Sequence, residues 1–471
     1  MKQEQYIIQQ KREEFRNEIR NQRNEQQFSR KRMVASNVAG TSLIQILKQT
    51  DIENEQSAIV ADNSLIQILQ QTNIENEESA NAALQQNLPQ RIINSLFISD
   101  VNKNYVQNLL EHDRLFLVES LYFFNSFTAN ANQGQIKQCF QLNFLSYLVS
   151  LYANFCQSIT ENSDIFYIID YLDCIFYNLI LLKVEFQAQD KKKMVDCIEK
   201  IVLLNKFQKF SLQAQECLLN LYFKLSLSFD ITNSLTICSY ILQNTSKKEL
   251  VTIVVNLIIR IFYQSARENR KALELYITQI KHLNITEKLV QLSDEYPNQV
   301  IKYFKVMSNQ QKSITIEIIS LQQASLIYQK WRYFDRELFY YFLANIITTY
   351  KVILTGILQN KQLLDEIMIT LQTKQNQESK EAFYLLCTIV KENSTTQSNN
   401  QFIGILNQYF VSSHSIEEYK FYLNLILQDP TILNQNCPNA VKTKLESLIK
   451  LPELETQVQR ILNDDLQFIF E

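Results

Sequence analysis

The run Leu250-Val251-Thr252-Ile253-Val254-Val255-Asn256-Leu257-Ile258-Ile259-Arg260-Ile261-Phe262-Tyr263 is the most apolar stretch of this 471-residue chain. It carries Asn256 and Arg260, and at 14 residues it is too short to span a bilayer. A helix that is apolar nearly all round must be covered by neighbours on both sides, so the run reads as an inner helix. The same signature recurs at 115–127, 166–186, 213–227, 338–350 and 381–390, with short polar breaks between the runs. From about residue 90 onward the spacing predicts stacked helical repeats, each of roughly 40 residues and two or three helices.

Composition agrees with helices and removes several classes of enzyme. Apolar residues make up 46% of the chain, enough for a large core, while only 4 glycines and 5 prolines occur. Average usage would give roughly 33 and 24 of them. Sheets joined by tight turns need such residues for their backbone angles. The glycines, Gly40, Gly134, Gly356 and Gly404, lie too far apart for a phosphate-cradling loop. His112, His282 and His414 each stand alone, and the eight cysteines are scattered without a CxxC pair. No catalytic constellation, metal site or cofactor site is therefore expected. The free cysteines fall mostly in apolar runs and read as small hydrophobes. With no signal-peptide apolar region at the N-terminus, the chain reads as a soluble protein of a reducing compartment.

Charge divides the chain. Residues 1–34 hold nine basic and five acidic residues, whereas the rest holds 37 basic and 44 acidic. A basic arm thus precedes an acidic body. The arm lacks Gly and Pro from Gln9 to Arg32 and is rich in helix formers. On a helical wheel Arg12, Arg16, Arg20, Arg23 and Arg30 fall within about 80° of one another, with Glu14, Glu18 and Glu25 on roughly the other side. Such a helix buries little by itself and suits an acidic partner, whose carboxylates the guanidinium forks can grip. Its plainer reading is a solvated, charged extension.

Within the arm, Glu18-Ile19-Arg20 and, further on, Arg30-Lys31-Arg32-Met33-Val34 stand at a telling spacing. About 25 residues here resemble the importin-β-binding domain of importin-α, although Asn21 and Asn24 replace basic residues of that domain. The resemblance extends to the body. Importin-α repeats carry Trp-x-x-x-Asn on the third helix, a spacing that puts both side chains on one face. This chain keeps the asparagine at Asn125, Asn178, Asn220, Asn256 and Asn345, and the segment 381–388 matches with Tyr384 for Trp and Thr388 for Asn. The tryptophans are replaced by Leu121, Cys174, Glu216, Thr252 and Tyr341, and the one tryptophan, Trp331, lies off the pattern.

The resemblance implies a right-handed superhelical solenoid of armadillo-like repeats behind a basic helix, all-α throughout. Its expected divisions are an arm over 1–36, a linker with a duplicated segment over 37–90 and the array over 91–471. In the linker Ser42-Leu43-Ile44-Gln45-Ile46-Leu47 recurs 22 residues later as Ser64-Leu65-Ile66-Gln67-Ile68-Leu69. This reads as a local duplication in a surface segment, followed by a flexible polar run from Thr72 to Gln90. The resemblance also implies a nuclear-import adaptor that shuttles between cytoplasm and nucleus. Arg12, Arg16, Arg20, Arg23, Arg30, Lys31 and Arg32 would bind importin-β. Asn125, Asn178, Asn220, Tyr341, Asn345 and Tyr384 would line a groove for cargo bearing a nuclear localisation signal. Asp464 and Asp465, near the acidic end, would help bind an export factor. A divergent repeat scaffold without such cargo binding is the alternative. RNA or membrane binding by the arm is disfavoured by its interleaved glutamates, so neither nucleic acid nor membrane insertion is expected.

Overall fold

The computed structural model describes residues 58–96, 113–158, 163–225, 231–245, 247–373, 376–393, 399–428, 432 and 438–461. The expected arm with its seven basic site residues, the first copy of the duplication, and Asp464 and Asp465 lie outside these residues. Among the described residues there are 24 α-helices, two 3-10 turns and no strand. The chain is an all-α helical repeat protein, and it divides into two compact units, 1–240 and 241–471.

In the first unit a row of helices stacks side by side: α1 (Ala58–Gln71), α4 (Arg114–Asn130), α7 (Ser163–Leu181) and α9 (Leu212–Leu225). The short α2 (Glu77–Gln85) and α3 (Leu88–Leu96) pack against α4, and α5 (Gln133–Cys139) lies beside α2. α6 (Leu142–Gln157) packs on α7 and α8 (Ala188–Leu203), and α8 also touches α9. Position in the row explains the run that is apolar on every side. Leu117, Leu121, Phe124 and Phe127 of α4 are all fully covered because helices pack on several sides of it. α10 (Ile231–Asn244) follows and contains the division between units.

Two expectations for 37–90 are corrected here. The second copy of the duplicated segment is core, not surface: Leu65, Ile68 and Leu69 of α1 are 4%, 2% and 3% exposed. The polar run after it is ordered into α2 and α3. α2 starts with a capping box in which Asn76 and Ser79 each accept from the other's backbone, and α2 and α3 bury Ala80, Ala83, Leu88, Ile92, Ile93 and Leu96. Packed helices thus begin ahead of residue 91.

The second unit repeats the plan. Its row is α11 (Lys248–Glu268), α14 (Pro297–Ser308), α17 (Arg336–Thr349), α20 (Gln377–Glu392) and α22 (Ile416–Gln428), each packed on the next. Flanking it are α12 (Arg270–His282), α13 (Ile285–Gln291), α15 (Lys312–Ile318), α16 (Leu321–Gln329), α18 (Lys351–Gln359), α19 (Lys361–Thr373), α21 (Asn399–Ser412), α23 (Pro438–Leu448) and α24 (Glu455–Arg460). α11 contains the opening run but extends it with polar residues at both ends to 21 residues. That makes it the one described helix long and apolar enough to cross a membrane, which corrects the expectation from the run alone. Half of its most apolar window is buried, and it packs on α12 and α14.

Scarce glycine is answered at the turns. Lys183, Asn205 and Asn284 take the left-handed conformation there, with φ of 58°, 56° and 52°. After α8 the Lys206 N–H donates to Ile201 O and the Asn205 N–H to Val202 O, both at 3.1 Å. After α7 Val184 and Lys183 do the same to Leu179 O and Ile180 O. These are Schellman closures, in which asparagine tolerates the strained angle better than most residues and lysine pays about 1 kcal/mol for it.

Candidate functional site

The helix rows put the recurring asparagines at comparable places, but the neighbours decide what each one faces. Asn125 on α4 and Asn178 on α7 are 5% and 3% exposed. The Asn178 amide donates to the Thr128 hydroxyl at 3.3 Å, linking α7 to α4. Those two residues therefore work inside the stack. Asn220 on α9 is half-buried, and its amide donates to Glu216 O at 2.8 Å. Of the positions of the lost indoles in this unit, Leu121 and Cys174 are closed and Glu216 is half-buried. Leu121 is fully buried, and the Cys174 sulfur lies 3.4 Å from that of Cys217 on α9. The Cys217 thiol and burial together push the Cys174 thiol well above its ordinary range, so it behaves as packing. All seven described cysteines are buried.

The second unit differs. On α17 Thr348 is exposed and Arg336, Glu337, Leu338, Tyr341, Ala344, Asn345 and Thr349 are half-buried; Glu337, Tyr341, Asn345 and Thr348 fall three or four residues apart, a stripe on one face. Asn345 donates to Tyr341 O at 3.0 Å, which fixes its amide on the helix and leaves its oxygen as an acceptor for a peptide N–H. On α20 the stripe reduces to Lys380 and Tyr384, with Thr388 buried and donating to Tyr384 O at 2.7 Å. On α22 it continues as Glu417 and Phe421. The Tyr384 and Phe421 rings meet edge to face at 4.8 Å. Tyr341, Asn345 and Tyr384 are thus brought onto one row, while Asn125, Asn178 and Asn220 belong to the other unit.

Carboxylates surround these rings. Glu381 on α20 is 4% exposed; one oxygen accepts from Gln377 at 2.9 Å and the other has no partner. Burial raises its pKa above the usual carboxylate range, against the pull of Gln377 and of the Lys305 and Lys380 ammoniums. Burial also raises the Tyr384 phenol, and the charges of Glu418, Glu417 and Glu381 add to the shift. Tyr341 is raised by burial and then by Glu381. Burial is thus the first cause of the rise in all three groups, and the neighbouring carboxylates add to it for the two phenols.

Cations of the chain itself already sit on both tyrosines. The Lys305 ammonium, from α14, lies 4.6 Å from the Tyr341 ring centre and 3.9 Å from the Glu337 carboxylate. The Lys380 ammonium lies 5.9 Å from the Tyr384 ring and 2.5 Å from Glu417. Sequence reading missed Lys305, Glu337, Lys380, Glu417 and Phe421. A signal existed, because a charged residue precedes an aromatic by four at 337/341, 380/384 and 417/421. Beside the stripe, two clefts of about 570 and 370 Å³ open at the start of α20, both lined by Asn376 and Gln377. Trp331 is buried with the Arg336 guanidinium 4.9 Å from its ring, and it takes no part in the stripe. Among the described residues no group of three His, Cys, Asp or Glu could hold a metal ion.

No protein-family model matches this chain, and no curated protein does. Among solved structures, an engineered protein is similar at a TM-score of 0.57 and 12% identity, covering 92% of this chain and 100% of its own. That likeness bears on the fold alone.

Proposed function

We propose that the chain is a protein-binding adaptor whose α14–α17–α20–α22 face takes a lysine-bearing segment of a partner. The observation that carries this reading is the stripe Tyr341, Tyr384 and Phe421 set among Glu337, Glu381 and Glu417. Aromatic faces attract an ammonium by about 0.5–2 kcal/mol each, and carboxylates nearby add Coulomb attraction. The Asn345 oxygen would hold the backbone of an extended segment.

Joined to the resemblance of residues 1–36 to an importin-β-binding domain, the reading becomes a nuclear-import adaptor. Importin-β would take the arm, the second unit would take the cargo, and the protein would move between cytoplasm and nucleus. The closure of Asn125 and Asn178 and the lost indoles of the first unit favour a divergent member of the importin-α kind, one that serves a few particular cargoes.

Two measurements test this. Pull-down with the full chain should retain importin-β, and reversing charge at Arg20, Arg30, Lys31 and Arg32 should abolish that; retention by the reversed chain sinks the import reading. Titration with a lysine-rich peptide should show binding that weakens about ten-fold in Tyr384→Ala. Equal binding by Tyr384→Ala would remove the stripe from the account.

A further inference from the structure

The two lysine–tyrosine pairs differ in kind. Lys380 and Tyr384 belong to one helix, four residues apart, and the ammonium stands at 5.9 Å with Glu417 as its main partner. Lys305 reaches across from α14 to α17, comes within 4.6 Å of the Tyr341 ring and lies near Glu337. Its side chain is only 27% exposed, so the stem lies along the surface and the head is held in place. Where α17, α20 and α22 offer a ring, α14 offers a lysine to its neighbour's ring. Lys302, three residues earlier on the same helix, is exposed and is not seated on a ring.

We infer that Lys305 is the specificity-determining residue of this face: it fills the alkylammonium place on Tyr341 from within the chain. This inference rests on the proposed reading of the stripe as a surface for lysine-bearing segments. A partner's first lysine then lands at Phe421 and Tyr384, where Lys380 stands farther from the ring and is held by Glu417. A lysine that is to use Tyr341 must displace Lys305 from both the ring and Glu337. Lys305 thus sets a threshold, and segments with a single cation gain nothing from Tyr341. Emptying the place frees one further ring and one carboxylate for the partner.

The test uses the full chain, a fluorescent lysine-rich peptide, and two variants that keep the apolar stem and remove one charge. Lys305→Met should bind the peptide about five-fold more tightly than the parent. Lys302→Met removes the same charge from the same helix without vacating a ring, and should stay within about two-fold. Equal effects of the two variants, or no gain in Lys305→Met, overturn the inference while binding by the parent leaves the stripe intact. No binding by any of the three chains overturns both. A second readout needs no peptide. In selectively labelled protein, the Lys305 ε-methylene protons should be shifted upfield by the ring and return to ordinary positions in Tyr341→Leu. Their absence from the shifted region overturns the inference by itself.

Discussion

Asn178 and Asn345 arise from the same local pattern and end in different surroundings, one bonded to Thr128 inside the stack and one on an open stripe. The recurrence of asparagine was legible in the sequence because four-residue spacing fixes a helix face. Which face stays open was not, because in helices apolar all round the covering neighbours decide it. Two carboxyls of the first unit, Asp173 and the half-buried Asp170, show the same dependence. Asp173 on α7 is fully buried, and Asp170, one turn earlier, has its pKa pushed up to about 8 by burial, partly offset by Ser211. The folded form therefore keeps a proton that the unfolded chain has released. That contribution to stability is complete below the ordinary carboxylate range and is lost as pH rises towards about 8. Urea unfolding should give a stability that falls with pH from about 5 to about 8, and Asp170→Asn should flatten the fall and exceed the parent at pH 8 by about 2 kcal/mol. A variant with the parent's slope would show that Asp170 is ionised in the folded protein.

At the scale of the element, the apolar runs gave α4, α7, α9, α11, α17 and α20, whereas α1, α14 and α22 of the two rows were not among them. The segment after the duplication was harder to read. Its Asn, Gln and Glu content suggests a loop, yet Ala80, Ala83, Leu88, Ile92 and Ile93 recur at spacings that bury one side. Long-range contacts complete the picture: the Asn130 amide donates to Ile74 O at 2.9 Å, tying the α1–α2 turn to α4. If α1 is core, Ile68→Ala should cost about 2–4 kcal/mol in chemical denaturation. A loss under about 0.5 kcal/mol, the range of surface substitutions, would return the duplicated segment to the surface.

For the whole molecule, the all-helical repeat plan was legible from periodicity and from the shortage of glycine and proline. The face proposed for binding was legible only in part. Tyr341, Tyr384 and Asn345 followed from the resemblance, whereas Lys305 and Phe421 come from helices whose registration against α17 and α20 only packing reveals. The division of labour proposed here gives cargo to the second unit, because the first has turned Asn125, Asn178 and its described cysteines inward. Hydrogen exchange of the full chain with and without a lysine-rich peptide tests that assignment most directly. The account predicts added protection at the starts of α17, α20 and α22, with the helices of the first unit unchanged. Protection confined to α4, α7 and α9, or none at saturating peptide, would contradict it.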